Sequence, residues 1–182
     1  FRLDNDDFME ELQLLTNKPV LYVCNVDQDS MDGNEYTKTV SEHIKNEDAK
    51  MIIIAAGIES EINELDSEED RKEFLNDLGL EEPGVNKIIR ATYSLLGLQT
   101  FFTAGEKEVR AWTIKKDSSA PQAAGKIHTD FEKGFIRAEV IAFDDMIQYG
   151  SELACREKGK ISVEGKNYQV KDGDIIHFRF NV

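Results

Sequence analysis

Two short, wholly apolar segments with a helical pattern between them constrain the fold of this chain most. Val20–Cys24 and Met51–Ala56 each have the length of one strand, and uninterrupted apolar runs are typical of strands buried on both faces of a parallel sheet. Between them, apolar residues recur at four-residue intervals, which predicts a helix over residues 34–47. Strand, helix and strand at this spacing predict a right-handed, parallel βαβ unit.

Helical patterns also flank this unit. Apolar spacing predicts a short helix over residues 4–16. Ser67 followed by three acids predicts a second helix, because the hydroxyl can cap it and acids favour the first turn. The strongest helical period in the chain begins after Pro83 and ends at Gly97. The first part is therefore expected to be an α/β fragment, a βαβ unit with flanking helices, over residues 1–97.

After Gly97 the pattern changes from helical to extended, which predicts a small mixed sheet with one or two short helices over residues 98–182. Along the last predicted strand, polar and apolar residues alternate, so one face can pack while the other meets solvent. The expected strands are two hairpins and two single strands, namely Leu98–Thr103 with Glu108–Lys115, Ile161–Glu164 with Asn167–Val170, Phe135–Phe143, and Ile175 to the end.

Charge is distributed unequally along the sequence. Residues 1–82 contain 23 acids and 7 bases, whereas residues 83–182 contain 13 acids and 15 bases. The first part should repel nucleic acid, and the second should not. The ordinary alternative is that the acids lie on solvated helix faces. No apolar run approaches the length of a membrane helix, the first residues are acidic rather than signal-like, and the two cysteines form no motif, so we expect a cytoplasmic chain.

Four segments carry a resemblance to a known family. Ala120–Val140, with Ile127-His128 inside an alanine-rich entry, and Lys171–Val182 resemble the TGS domain of the YchF subfamily of Obg-like P-loop ATPases. Lys18–Asp27 resembles the strand and base-recognition loop of that family, and Ile53–Leu65 resembles its last nucleotide-binding motif. The resemblance implies that residues 98–182 form an α+β TGS domain with a β-grasp, ubiquitin-like fold.

The strand ends contain the candidate base-binding residues. Asn25 follows one predicted strand and Gly57 the other, and ligands of open α/β sheets bind outside the carboxyl ends of strands. Spacing alone leaves open a turn or helix-capping role for Asn25. The resemblance implies an Asn-x-x-Glu base reader here, with Gln28 in place of Glu. The base-binding residues that it implies are Asn25, Val26, Gln28, Ala56 and Gly57.

No G-x-x-x-x-G-K-[ST] loop, which would hold the phosphates and Mg²⁺, occurs in this sequence. The resemblance implies a ribosome-associated hydrolase of ATP, and in some members of GTP, with Mg²⁺. This chain would be its C-terminal part, without catalytic residues, a protein metal site or a tightly bound cofactor, and inactive alone. The alternative is a non-enzymatic module that binds RNA, the ribosome or another protein. Neither a membrane nor a specific DNA sequence is an expected partner.

The candidate contacts to RNA or the ribosome are basic residues of the second part. His177 and Arg179 should lie opposite Ile176, Phe178 and Phe180 on the final strand, and Arg137 opposite Ile136 and Ala138. Arginine suits phosphate because its planar fork makes paired hydrogen bonds. The alternative is that these are ordinary solvated side chains. The full candidate set is Arg110, Arg137, His177 and Arg179.

Overall fold

A computed structural model shows two compact units that divide between Leu96 and Gly97. It describes residues 12, 14–47, 49–105 and 108–181. The helix predicted over residues 4–16 lies mainly outside these residues, and Leu15–Asn17 form one 3-10 turn. Within the described part of the chain, no helix has the length and apolarity needed to cross a membrane.

The first unit contains the predicted parallel pair of strands. β1 (Val20–Asn25) pairs with β2 (Ala49–Ile54) in parallel, and α1 (Glu35–His43) connects them. β2 ends two residues before the predicted end of this strand, because α2 (Ala56–Asn63) begins at once. The prediction that β1 is buried on both faces is wrong for this chain, because Val20 and Val23 are exposed. Among the described residues, only β2 pairs with β1.

Two further helices complete the first unit. α3 (Glu68–Asp77) begins where predicted, because the Ser67 hydroxyl accepts hydrogen bonds from the backbone N–H groups of the second and third helical residues, at 3.1 and 3.2 Å. α4 (Gly84–Leu95) follows. Its first backbone N–H donates to the Glu59 carboxylate on α2 at 2.7 Å, which ties the start of α4 to α2.

The second unit is a five-stranded mixed sheet with the order β4-β3-β7-β5-β6. β3 is antiparallel to β4 and parallel to β7, and β5 is antiparallel to both β7 and β6. The first and last strands along this unit are therefore neighbours inside the sheet. The strands are β3 (Leu98–Ala104), β4 (Val109–Lys115), β5 (Phe135–Ile141), β6 (Ile161–Glu164) and β7 (Ile175–Phe180).

One face of this sheet is packed against a helix. Phe101 is fully buried there, and its ring lies 6.5 Å from Trp112 and 5.8 Å from Phe178, measured between centroids. Three alanines of the first helix are also fully buried, and their small side chains let it approach the sheet closely. The described residues of this unit contain four short helices rather than the one or two predicted: α5 (Ala120–Ile127), α6 (Thr129–Lys133), α7 (Phe143–Tyr149) and α8 (Glu152–Glu157).

The hairpin predicted over residues 161–170 is not formed. β6 pairs with β5 instead, and Asn167–Val170 forms no strand. This segment bonds to the chain before α5: the Val170 N–H donates to the Ser118 carbonyl at 3.0 Å, and the Ala120 N–H donates to the Tyr168 carbonyl at 2.8 Å. A distant segment thus takes the hydrogen bonds that a local hairpin would have used.

Candidate functional sites

The ends of the two parallel strands are joined by hydrogen bonds. Asn25 and Ile54 are register partners at the ends of β1 and β2. The next N–H, of Val26, donates to the Ile54 carbonyl at 2.9 Å. The Asn25 Oδ1 accepts from the Ala56 N–H at 3.0 Å and so satisfies a donor in the first turn of α2. The structure therefore brings together Asn25, Val26 and Ala56.

A cavity of about 340 Å³ opens beside these strand ends. A Cβ built on Gly57 would meet no atom within 4 Å, so the backbone there faces open space and a ligand can approach it closely. None of the residues described as lining the cavity is Lys or Arg, so the cavity suits an uncharged hydrogen-bonding edge better than a phosphate. The lining comprises Asn25, Val26, Asp27, Gln28, Gly57, Ile58 and Glu61.

Asn25 has two chemical functions in this arrangement. Its Oδ1 is bonded to Ala56, as the turn or capping role requires. Its side chain is exposed at the cavity, and its Nδ2 is the group left to donate to a ligand. The carboxylates of Asp27 and Glu61 were not predicted as part of this site. Glu61 comes from α2, whose start the sequence pattern did not indicate.

The second candidate site is on the sheet of the second unit. Arg137 and Arg179 are register partners, and Glu139 and His177 form the next pair on the same face. The Arg179 guanidinium donates to both Glu139 carboxylate oxygens, at 3.3 and 3.2 Å. Arg137 lies 3.6 Å and Arg156, from α8, 4.0 Å from the same carboxylate. We call these five residues the arginine face.

The charges of the arginine face are unequally accessible. The Glu139 side chain is 13% exposed, whereas those of Arg137 and Arg156 are 53% and 58% exposed. One carboxylate is thus enclosed by three guanidinium groups that still reach solvent. Sequence reasoning missed Glu139 and Arg156. The four-residue spacing of Glu152 and Arg156, whose charged groups lie 2.9 Å apart, is the unused signal that could have placed Arg156 on a helix.

The structure does not bring Arg110 to the arginine face. Arg110 lies on β4, at one edge of the sheet, where it pairs with Thr103. It is on the same face as Trp112 and the buried Phe101, and its guanidinium carbon lies 4.1 Å from the Trp112 ring centroid. Arg110 therefore points to the opposite side of the sheet, where it stacks on an aromatic ring.

The predicted facing of β7 is confirmed, and that of β5 is confirmed at Ala138 but not at Ile136. β5 also ends at Ile141, two residues before the predicted end at Phe143, and Ala142 is exposed. Ile176 and Phe178 are buried, and His177 and Arg179 are exposed. Ile136, predicted on the packed face with Ala138, is 56% exposed. The β5–β7 register is irregular between Phe135 and Arg137, and a bulge of this kind turns the extra residue out of the alternation.

The arginine face should make stability depend on pH. The hydrogen bonds from Arg179, followed by the charges of Arg179, Arg137 and His177, hold the pKa of Glu139 below its ordinary value of 4.5. Because the folded-state pKa of Glu139 is lowered, its ionised carboxylate adds to the free energy of unfolding above pH 4.5. This stabilisation is lost as the pH falls through the folded-state pKa.

We therefore expect Glu139→Gln to make the free energy of unfolding of the second unit less dependent on pH below 4.5, as measured by urea titration at several pH values. Glu157→Gln, at an exposed position of α8, is the matched control and should retain the dependence of the unmodified chain. Parallel curves for Glu139→Gln and the unmodified chain would contradict the ion-pair role of Glu139.

Residues 98–181 match one family model, YchF-GTPase_C, which is described as a protein of unknown function (DUF933). The chain is 56% identical over 182 residues to the "Ribosome-binding ATPase YchF" of Pasteurella multocida, covering 99% of this chain and 50% of that protein. It is 51% identical over 185 residues to the protein of the same name from Bacillus subtilis, covering 100% of this chain and 50% of the relative.

A solved structure is similar over almost the whole chain. The Schizosaccharomyces pombe YchF GTPase superposes with a TM-score of 0.80 at 36% sequence identity, covering 98% of this chain and 48% of that protein. The chain thus spans about half the length of the curated relatives and of the structure that it matches. Its similarity to them includes both compact units.

Proposed function

Because this chain belongs to the YchF family and corresponds to the C-terminal part of its members, we propose that it supplies the base-recognition loops and a ribosome-contacting domain of a nucleotide hydrolase. Two relatives are named ribosome-binding ATPases, and the matched solved structure is titled a GTPase. ATP is the proposed substrate, with GTP as the alternative. Since this sequence contains no phosphate-binding loop, residues outside it would hold the phosphates and Mg²⁺. We propose that the chain alone does not hydrolyse ATP and that it acts in the cytoplasm.

The observation that carries this proposal is the hydrogen bond from Ala56 to the Asn25 side chain beside the 340 Å³ cavity. It fixes Asn25 at the carboxyl end of β1, where open α/β sheets bind ligands. With one lone pair of its oxygen engaged by Ala56, the side chain offers its Nδ2 as a donor, and a purine ring nitrogen is a suitable acceptor. The Gln28 amide can both accept and donate a hydrogen bond, so Gln28 by itself does not discriminate between adenine and guanine.

We expect Asn25→Ala to weaken ATP binding by about 1–1.5 kcal/mol in the longer protein that we propose, the scale of one neutral hydrogen bond. Calorimetric titration with ATP measures this change. Asn25→Asp separates the two functions of the side chain. It keeps an acceptor for the Ala56 N–H but removes the Nδ2 donor, so ATP affinity should fall while the loop stays anchored.

The matched control is Asn63→Ala, at the exposed far end of α2, which should leave ATP affinity unchanged. Equal ATP affinity for the unmodified protein, Asn25→Ala and Asn25→Asp would contradict the base-reading role. Loss of affinity in Asn25→Ala with full affinity in Asn25→Asp would assign Asn25 to the loop alone.

We further propose that the second unit is a TGS domain with a β-grasp fold, and that residues 1–97 and 98–182 are the two functional domains. The strand order supports this fold, because the first and last strands of the unit, β3 and β7, are adjacent and parallel. A helix packs on one face of the sheet and leaves the arginine face on the other.

A second candidate function is direct contact with ribosomal RNA through the arginine face. The supporting observation is the group of three partly exposed guanidiniums around one enclosed carboxylate. Arg137, His177 and Arg179 stay in this proposed contact, Arg156 joins it, and Arg110 is left out because it lies on the other face. Such a contact would also serve a chain that binds the ribosome without catalysis of its own.

A further inference from the structure

A second cavity, of about 250 Å³, lies at one end of the arginine face. The sheet and the two helices after β5 both contribute to its wall. Its polar groups are two carboxylates and one imidazole, from Glu139, Glu152 and His177. The remaining side chains are apolar, except for the glycine that follows β3: Ala104, Gly105, Ile141, Met146, Ile161, Ile175 and Ile176 line it.

The cavity and the arginine face share residues. Glu139 and His177 are register partners, and the next pair along the same strands is Ile141 and Ile175. The carboxylate that Arg179 binds at 3.2 Å is therefore also part of the cavity wall. A ligand in the cavity would therefore lie beside the carboxylate that the three guanidinium groups surround.

We infer that this cavity holds one unpaired base of an RNA strand whose phosphates contact the arginine face. This inference rests on the proposed RNA contact. A volume of 250 Å³ is below the range of about 300–1,000 Å³ that is usual for drug-sized ligands, so it suits one base or one protein side chain. Bases that proteins read in RNA are mostly unpaired, with exposed ring faces and edges.

The polar lining favours a base over an apolar side chain of a protein partner. Glu139 is already bonded to Arg179, but the exposed parts of Glu152 and His177 still contact water. An apolar side chain would cover them without offering a hydrogen bond, which is costly. A base can place its ring against Ile141 and Ile175 and donate from an exocyclic amino group to a carboxylate. The expected ligand is therefore an amino-bearing base flanked by phosphates.

The test uses the whole chain and a fluorescein-labelled decamer of riboadenylate, with affinity measured by anisotropy. Ala104→Phe places a large ring in the cavity from an exposed position at the end of β3, and we expect binding to weaken about tenfold, the scale of one lost base contact. The matched control is Ala111→Phe, the same change at an exposed position of β4 outside the cavity lining, which should bind within about twofold of the unmodified chain.

A second measurement needs no protein variant. A decamer of purine riboside lacks the exocyclic amino group but keeps the ring and the phosphates. We expect it to bind the unmodified chain about tenfold more weakly than the riboadenylate decamer, the scale of one hydrogen bond to a charged group. With Ala104→Phe the two decamers should bind equally. Equal binding of both decamers to the unmodified chain would overturn the base assignment.

The outcomes separate this inference from the RNA contact on which it rests. If Ala104→Phe binds RNA normally while loss of Arg137 and Arg156 weakens binding, the cavity takes no base and the RNA contact stands. If neither change affects RNA binding, both proposals fail. If Ala104→Phe binds RNA normally but no longer sediments with ribosomes, the occupant is a protein segment, which also overturns the inference.

Discussion

Phe101→Ala is expected to lower the free energy of unfolding of the second unit by about 3–5 kcal/mol. Phe101, on β3, is fully buried in the packed face of the sheet and contacts the rings of Trp112 and Phe178. Its removal loses the transfer free energy of a whole ring and leaves a cavity between aromatic groups that cannot close without moving strands. The arginine face is built on this sheet, so RNA binding should be lost at the urea concentration where the unit unfolds.

Trp112 makes this prediction simple to measure. It is the single tryptophan of the sequence, and it stacks on Phe101, so its fluorescence during urea unfolding reports on the second unit. Phe143→Ala is the matched control, since Phe143 is 46% exposed and its ring lies 6.2 Å from that of Phe102 in a tilted arrangement. Phe143→Ala should lower the free energy of unfolding by less than half as much as Phe101→Ala does. Equal losses for the two variants would contradict the position of Phe101 in the core.

The largest expected effect on binding belongs to Arg137→Gln combined with Arg156→Gln. Each arginine is expected to contact phosphate, and a hydrogen bond to a charged group contributes about 1.5 kcal/mol or more. Loss of both should weaken binding of the whole chain to a riboadenylate decamer about 100-fold at low salt. The slope of log affinity against log salt concentration should also decrease by about 1.4, as expected for two lost phosphate contacts on a single strand.

Arg179 is left in place in this experiment because it donates to both oxygens of the enclosed Glu139 carboxylate. Its loss would combine an effect on stability with an effect on binding. The control is Arg110→Gln combined with Lys116→Gln, which removes the same charge from the other sheet face and from the turn after β4. If this control weakens RNA binding as much as the test variant does, total charge rather than the arginine face determines binding.

Several elements follow from short stretches of sequence. The uninterrupted apolar run at Val20–Cys24 predicted β1, and Ser67 with its three acids predicted the start of α3. The alternation at the end of the chain correctly separated His177 and Arg179 from Ile176 and Phe178. Each of these depends on backbone geometry and hydrogen bonds within a few residues, so a local pattern contains enough information.

Other features depend on partners that are distant in the sequence. The Asn25 side chain binds the start of α2 31 residues later, and Asn167–Val170 bonds to the chain before α5 instead of closing a hairpin. Local pattern did not distinguish Arg110 from Arg137, because only the strand order and register put them on opposite faces. Periodicity determines which residues share a face of one strand, but tertiary hydrogen bonding determines which strands meet and therefore which charges surround Glu139.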